Sequence, residues 1–180
     1  MGGMSSSPLP PSAFDKTIVF IDGSNLFIRL RDAKLKVNSF SNISRIACRE
    51  RQLHRTYLYT CQEKLDDAYA VHGEKAFEGC RIILGESIKL PNGKHREKGV
   101  DALLVADLVY HAASRNCQFA IVLSNDQDFS VALKRVEDFG CRTGVLSLID
   151  DAPDKLKRSC DDYQFFNTNQ MLSNSWATSI

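Results

Sequence analysis

The sequence predicts an α/β fold, a parallel sheet covered on both faces by helices. Three observations predict it. Short apolar runs rich in β-branched or aromatic residues recur along the chain and read as strands. Amphipathic stretches of helical spacing separate them. One such stretch, "VDALLVADLVYHAASRN" (100–116), is apolar almost all round, as a helix packed on both sides would be.

The elements follow in chain order. "TIVFID" (17–22) is a buried strand ending in Asp-Gly. "SNLFIRLRDA" (24–33) has helical character, "KLKVNS" reads as a loop, and "FSNISRIACRER" (40–51) as a helix. "HRTYLYT" (54–60) is a second strand by its aromatic and Thr content. "QEKLDDAYAVHGEKAFEG" (62–79) is a charged amphipathic helix that Gly73 can interrupt. "CRIILGESIKL" (80–90) is a third strand, with Gly85 placed for a bulge. "PNGKHREKG" (91–99) combines a turn signal with a basic run. After the helix at 100–116, "QFAIVLSN" (118–125) is a fourth strand. "DFSVALKRVEDFG" (128–140) is a helix stopped by Gly140, and "CRTGVLSLI" (141–149) a fifth strand. "APDKLKRSCDD" (152–162) is a short helix, and "YQFFN" (163–167) a small sixth strand. From Thr168 onward no strong pattern remains.

With 180 residues, 43% hydrophobic and 25% charged, the chain fits one globular domain. The expected organisation is an N-terminal tail over 1–15, the domain over 16–168 and a C-terminal tail over 169–180. No apolar stretch approaches the ~20 residues that span a bilayer. The start, "MGGMSSSPLPPSAF", has neither the basic nor the apolar segment of a secretory signal, although it matches the short myristoylation pattern. Six cysteines at 48, 61, 80, 117, 141 and 160 form no Cys-x-x-Cys pair. They read as buried free thiols in a reducing cytoplasm, and four scattered histidines add no zinc spacing. Net charge is +1, but residues 29–98 carry +6 and residues 99–180 carry −4. Such asymmetry places phosphate-attracting charge and carboxylates in different portions, or is simply solvated surface. No Gly-x-Gly-x-x-Gly follows the first strand and no Gly-x-x-x-x-Gly-Lys-Ser/Thr occurs, which argues against nucleotide binding by those routes.

Chemistry gathers where strands end. Open α/β sheets bind ligands beyond the carboxyl ends of their strands, where strand order reverses. Asp22 ends the first strand, and Asp126 and Asp128 follow the fourth. Asp101 opens the helix that feeds the fourth strand. If the first and fourth strands flank the switch point, these acids face one crevice. Two carboxylates about 4 Å apart repel by roughly 4 kcal/mol at an effective dielectric near 20. A hard divalent cation such as Mg²⁺, with its preference for oxygen ligands, would relieve that repulsion. Each acid also has a local reading, as a helix cap, a dipole partner or part of a turn. Capping accounts for the acids one by one, but not for their arrival at one end of the sheet. Asp107, about 120° around the helix from Asp101, reads as structural, with a partner such as His111.

Three stretches, "FIDGSNLF" (20–27), "KGVDALLVADL" (98–108) and "VLSNDQDFSVAL" (122–133), stand in order at suitable separations. Together they resemble the NYN domain family, a branch of the PIN-like nucleases that includes LabA-like proteins. The resemblance runs from about Thr17 to Asn167. It implies a three-layer α/β/α sandwich with central strand order 3-2-1-4-5, and a metal-dependent ribonuclease site using Mg²⁺ or Mn²⁺. Carried over by position, the catalytic and metal-binding acids are Asp22, Asp101, Asp126 and Asp128, with Asn25 behind the first and Ser124 supporting the last two. Two departures stand out: Asn125 where the family often has Gly, and Ala102 where some relatives carry a second acid.

The function expected is hydrolysis of RNA phosphodiesters, single-stranded by preference. Asn25 and Ser124 would orient ligands or the scissile phosphate. The basic flap of Lys89, Lys94, Arg96 and Lys98 would hold the backbone, or be a solvated hairpin tip. Tyr57, Tyr59 and Phe27 could stack bases, although core packing suits them better. The expected partner is RNA, with no membrane, and a homo-oligomer stays open. The alternative is a binding or regulatory module that holds RNA or protein in the same crevice without turnover. A phosphatase of the haloacid-dehalogenase type needs a second Asp two residues after the first, and position 24 is Ser.

Overall fold

A computed structural model describes residues 15–93 and 95–180. The elements are β1 (Lys16–Asp22), α1 (Gly23–Asp32), β2 (Leu35–Val37), α2 (Phe40–Cys48), β3 (Gln52–Thr60) and α3 (Gln62–His72). A 3-10 turn (Glu74–Phe77) leads to β4 (Cys80–Leu84), β5 (Glu86–Lys89) and β6 (His95–Lys98). Then come α4 (Val100–Ala113), β7 (Phe119–Leu123), α5 (Phe129–Glu137), β8 (Arg142–Leu148), α6 (Asp154–Lys157), β9 (Asp162–Phe166), α7 (Thr168–Ser173) and β10 (Ala177–Ser179).

Six strands form one sheet in the order β4-β3-β1-β7-β8-β9, and every neighbouring pair is parallel. This is the expected 3-2-1-4-5 order with the sixth strand, β9, added at the edge. β1 and β7 lie in the middle, and both are buried almost end to end because helices cover both faces. Alternate residues of β1 enter opposite cores. Val19 and Ile21 join Leu26 and Leu30 of α1, Phe40 and Ile43 of α2, Leu65 of α3 and Met171 of α7. Ile18 and Phe20 join Leu104 and Leu108 of α4, Leu133 of α5 and Leu156 of α6.

Several expectations need correction. The third strand stops at Leu84. Beyond Gly85 the chain leaves the sheet as a separate antiparallel hairpin, β5–β6. Gly85 passes so close to α4 that an added Cβ would stand 2.4 Å from Val100 Cγ2. The stretch expected as a loop at 34–39 contains β2, which pairs antiparallel with β10. Residues 169–180 are therefore no tail. Met171 is buried, Trp176 packs on Phe166, and β10 adds a strand. Sequence periodicity is blind to such a short element, because its partner lies far away in the chain. The expected N-terminal tail, with its myristoylation-like start, falls outside the described residues except for Asp15. α4 is packed on one side only. Leu104, Leu108 and Ala112 face the sheet, while Tyr110 is 60% exposed. All six cysteines are free; four are buried and Cys80 and Cys160 half-buried. No helix among the described residues is long and apolar enough to cross a membrane.

Candidate active site at the carboxyl rim of the sheet

The chain moves from β1 outward through β3 and β4, then returns to β7 on the other side of β1. Strand order therefore reverses between β1 and β7, and their carboxyl ends open a crevice there. Asp22, the last residue of β1, is 3% exposed in this crevice. Gly23 lets α1 start directly beside β3; an added Cβ would lie 2.8 Å from the Tyr59 carbonyl oxygen.

Hydrogen bonds hold Asp22 from both sides. Its Oδ1 accepts the Asn25 backbone N–H at 3.2 Å and so caps α1. Its Oδ2 accepts the Ser124 hydroxyl at 2.8 Å. The same Ser124 Oγ accepts the Asp126 N–H at 3.0 Å, and Asp126 Oδ1 accepts the Asp128 N–H at 2.9 Å. One short relay thus links the ends of β1 and β7. Asp126 is half-buried and Asp128 exposed, at the entry to α5.

Asp101, exposed in the first turn of α4, stands one turn before the buried row Leu104–Leu108–Ala112 and by its spacing on the same side of the helix. Its carboxyl lies close enough to those of Asp22, Glu97, Asp126 and Asp128 for mutual repulsion. Burial pushes the Asp22 carboxyl up from 3.8 to about 6; Ser124 and the Asn25 N–H pull it back, and Asp101 and Glu97 push it further up. The Asp101 carboxyl is raised too, by burial first, then by Glu97 and Asp126, with Lys64 opposing. Asp22, Asp126 and Asp128 therefore lie at the rim where β1 and β7 end, and Asp101 acts on them through its charge.

Glu97 is the residue that sequence reasoning missed. It sits on β6, its carboxylate accepts the Ser24 hydroxyl, and it pairs with Lys64 of α3 at 3.1 Å. Its signal was a lone acid inside a basic run. Side chains alternate along β6, so Arg96 and Lys98 stand on the face opposite Glu97. Lys89, Arg96 and Lys98 are exposed, and Lys94 lies outside the described residues. Tyr57 and Tyr59 stack on Phe20 in the core, and Phe27 packs on Phe40 and Phe77. Asp107 accepts the Tyr59 hydroxyl at 2.9 Å, whereas His111 Nδ1 meets Asn116. The hydrogen-bond partner of Asp107 is therefore Tyr59, a contact across elements that spacing on one helix could not reveal, while His111 feels Asp107 through its charge alone. Asn125, buried, donates its side-chain amide to the Asp150 carbonyl at 2.7 Å. Its bulk is thus taken up by a tie to the end of β8. Asn25 Oδ1 accepts from Arg29 Nε at 2.9 Å.

The donor set is all oxygen and strongly anionic, which matches the chemistry of a hard divalent cation. Among the described residues, however, no group of three or more His, Cys, Asp or Glu side chains is spaced to hold a metal ion.

Comparison with known proteins adds three findings. A crystal structure of a protein of unknown function, VPA0982 from Vibrio parahaemolyticus, shares the fold. The TM-score is 0.67 at 16% identity, over 89% of this chain and 98% of that one. A stretch of 57 residues is 35% identical to the uncharacterized protein y4oD of Sinorhizobium fredii. That stretch is 32% of this chain and 27% of the relative, so the chain spans about a quarter of that protein's length. The profile of the NYN domain matches residues 16–169, from the first sheet strand to the start of α7. By that match over most of its length, with the parallel sheet and the acids at its switch point, the chain belongs to the NYN domain family.

Proposed function

We propose that this chain hydrolyses phosphodiester bonds of single-stranded RNA, with Mg²⁺ or Mn²⁺ held among Asp22, Asp101, Asp126 and Asp128. One observation carries the reading. A buried carboxylate, Asp22, stands at the switch point, tied through Ser124 to the loop that bears Asp126 and Asp128, with Asp101 near enough to repel it. A divalent cation bound there would lower the pKa of water and offset charge on the phosphate.

The protein's own residues do the positioning. Ser124 and the Asn25 N–H fix both oxygens of Asp22, so its carboxylate is aimed before any ligand arrives. With its carboxyl raised to about 6 by burial, Asp22 is mostly ionised at neutral pH, and a cation beside it would offset the cost of that buried charge. Glu97, anchored by Ser24 and Lys64, closes the crevice from the hairpin side. Lys98 and Arg96, exposed on the outer face of that hairpin, suit phosphates further along the strand rather than the scissile one.

The spacing of the acids, with no three set for a metal, favours a second reading. In it the same crevice binds RNA or a protein without turnover. A labelled, unstructured oligoribonucleotide incubated with Mn²⁺ or Mg²⁺, and in parallel with EDTA, separates the two. Cleavage that EDTA blocks and Asp126→Asn abolishes supports the nuclease. Binding that survives EDTA, with no cleavage in either metal, overturns it in favour of the module.

A further inference from the structure

Beside the acids lies a second, chemically different cleft of about 480 Å³, between α1 and the end of β8. Asn25, Arg29, Asp32 and Asp150 line it, with Ile28 and Ile149 as apolar walls. Its two acids are both matched. Arg29 pairs with Asp150 at 2.7 Å, and Arg31 with Asp32 at 2.9 Å. A cleft so balanced does not attract a phosphate. It suits a neutral group that both donates and accepts hydrogen bonds.

Arg29 also fixes what Asn25 offers. An arginine only donates, so the Asn25 atom that meets Arg29 Nε at 2.9 Å is the carbonyl oxygen. The Asn25 NH₂ therefore points away from Arg29, and it has no hydrogen-bond partner among the described residues. Asp150 Oδ2 accepts from Arg29, which leaves Oδ1 as an acceptor.

The geometry at Asp150 is held against resistance. Ile149 has φ +73, rare for a β-branched residue, and the Asp150 N–H bonds the Leu148 carbonyl at 2.9 Å. This one-residue turn folds Asp150 back toward α1. Its carbonyl then receives Asn125 and its carboxylate receives Arg29. The surroundings over-determine a strained conformation, a pattern that clusters at ligand sites.

We propose that this cleft is a ribose subsite: Asn25 donates to, and Asp150 accepts from, a 2′-hydroxyl of the bound strand, and Arg29 is the positioning residue that fixes the Asn25 amide. A 2′-hydroxyl is both donor and acceptor, and it is the group that tells RNA from DNA. The subsite rests on the reading of the crevice as a place for RNA, and it would give that site its preference for RNA over DNA.

The test is binding of labelled RNA and DNA strands of one sequence in EDTA, without cleavage, followed by fluorescence anisotropy. The wild type is expected to bind RNA about five- to tenfold more tightly than DNA. Asn25→Ala should remove most of that difference by weakening RNA alone. Arg29→Lys keeps the charge opposite Asp150 but loses the planar fork, and should have a similar effect. In the Asn25→Ala background Arg29→Lys should add nothing, because it acts through Asn25. Should Asn25→Ala fail to fold, Asn25→Asp carries the same test, since it keeps an oxygen toward Arg29 and removes the donor. Equal affinities in the wild type, or an unchanged preference in the Asn25 variants, overturn the subsite; additive effects overturn the role of Arg29. Equal affinities for RNA and DNA, with RNA still cleaved in Mn²⁺, would sink the subsite and leave the nuclease. An RNA preference without cleavage would sink the nuclease and leave the subsite.

Discussion

Replacing Asp22 with Asn should stabilise the fold at neutral pH. The carboxyl titrates near 6 in the folded protein, against 3.8 ordinarily, chiefly because it is buried. Between those values the folded state keeps a proton that the unfolded chain has released. Wild-type stability therefore falls as pH rises through the window from about 4 to about 6, then levels off. A shift of about two units is worth about 3 kcal/mol above it. The neutral amide of Asp22→Asn would escape that cost. It would also set an NH₂ against the Ser124 hydroxyl, which now donates to Oδ2 at 2.8 Å, at a loss of about 1 kcal/mol. The net gain at pH 7.5 is about 2 kcal/mol, or a rise in Tm of about 5 °C for a chain of this size. At pH 4 the variant should be no more stable than wild type, or slightly less. Thermal melts of both proteins at pH 4 and 7.5 in EDTA read this directly. A Tm difference that does not change with pH, or a variant less stable at pH 7.5, would refute the reasoning. On the metal-binding reading Mn²⁺ should raise the Tm of the wild type, and the same substitution should abolish that rise, trading function for stability.

Other substitutions separate structure from chemistry. Asp126→Asn keeps the oxygen that caps the Asp128 N–H, so stability should stay within about 0.5 kcal/mol while RNA cleavage drops at least about a hundredfold. Urea denaturation and a single-turnover assay check the two halves. Tyr59→Phe removes the hydroxyl that serves Asp107 at 2.9 Å and should cost about 1–2 kcal/mol in urea denaturation, with cleavage little changed. Glu97→Gln weakens the link to Lys64 at the hairpin base. Amide exchange across residues 86–98 should quicken, with less than about 1 kcal/mol lost overall because the pair is partly exposed.

Buried strands were the most legible part of the sequence. "TIVFID" and "FAIVL" must be apolar on both faces, because helices cover both, and a run of that kind has few other homes. The acids were legible for a related reason: a carboxylate at the end of a buried strand has to surface where the strand does. What stayed hidden depends on contacts across the chain. β10 exists because β2 lies beside it, and neither carries a pattern of its own. Glu97 looks like surface charge until β6 folds back over Ser24 and Lys64. Asp150 looks like part of a loop until the turn at Ile149 returns it to Arg29. α4 misled because its composition is that of a fully buried helix, while Leu103 and Tyr110 remain open to solvent.

The two-stranded ribbon of β2 and β10 has a bearing on how the molecule assembles. Its partners are about 140 positions apart, yet closing a loop twice as long costs only about 0.6 kcal/mol more, so distance barely taxes the finished state. The burden is kinetic instead: the large sheet can form from residues 16–166 before residues 177–179 arrive. The ribbon is then a last latch. Until it shuts, β2 lacks its strand partner, since among the described residues β10 is the only strand it pairs with.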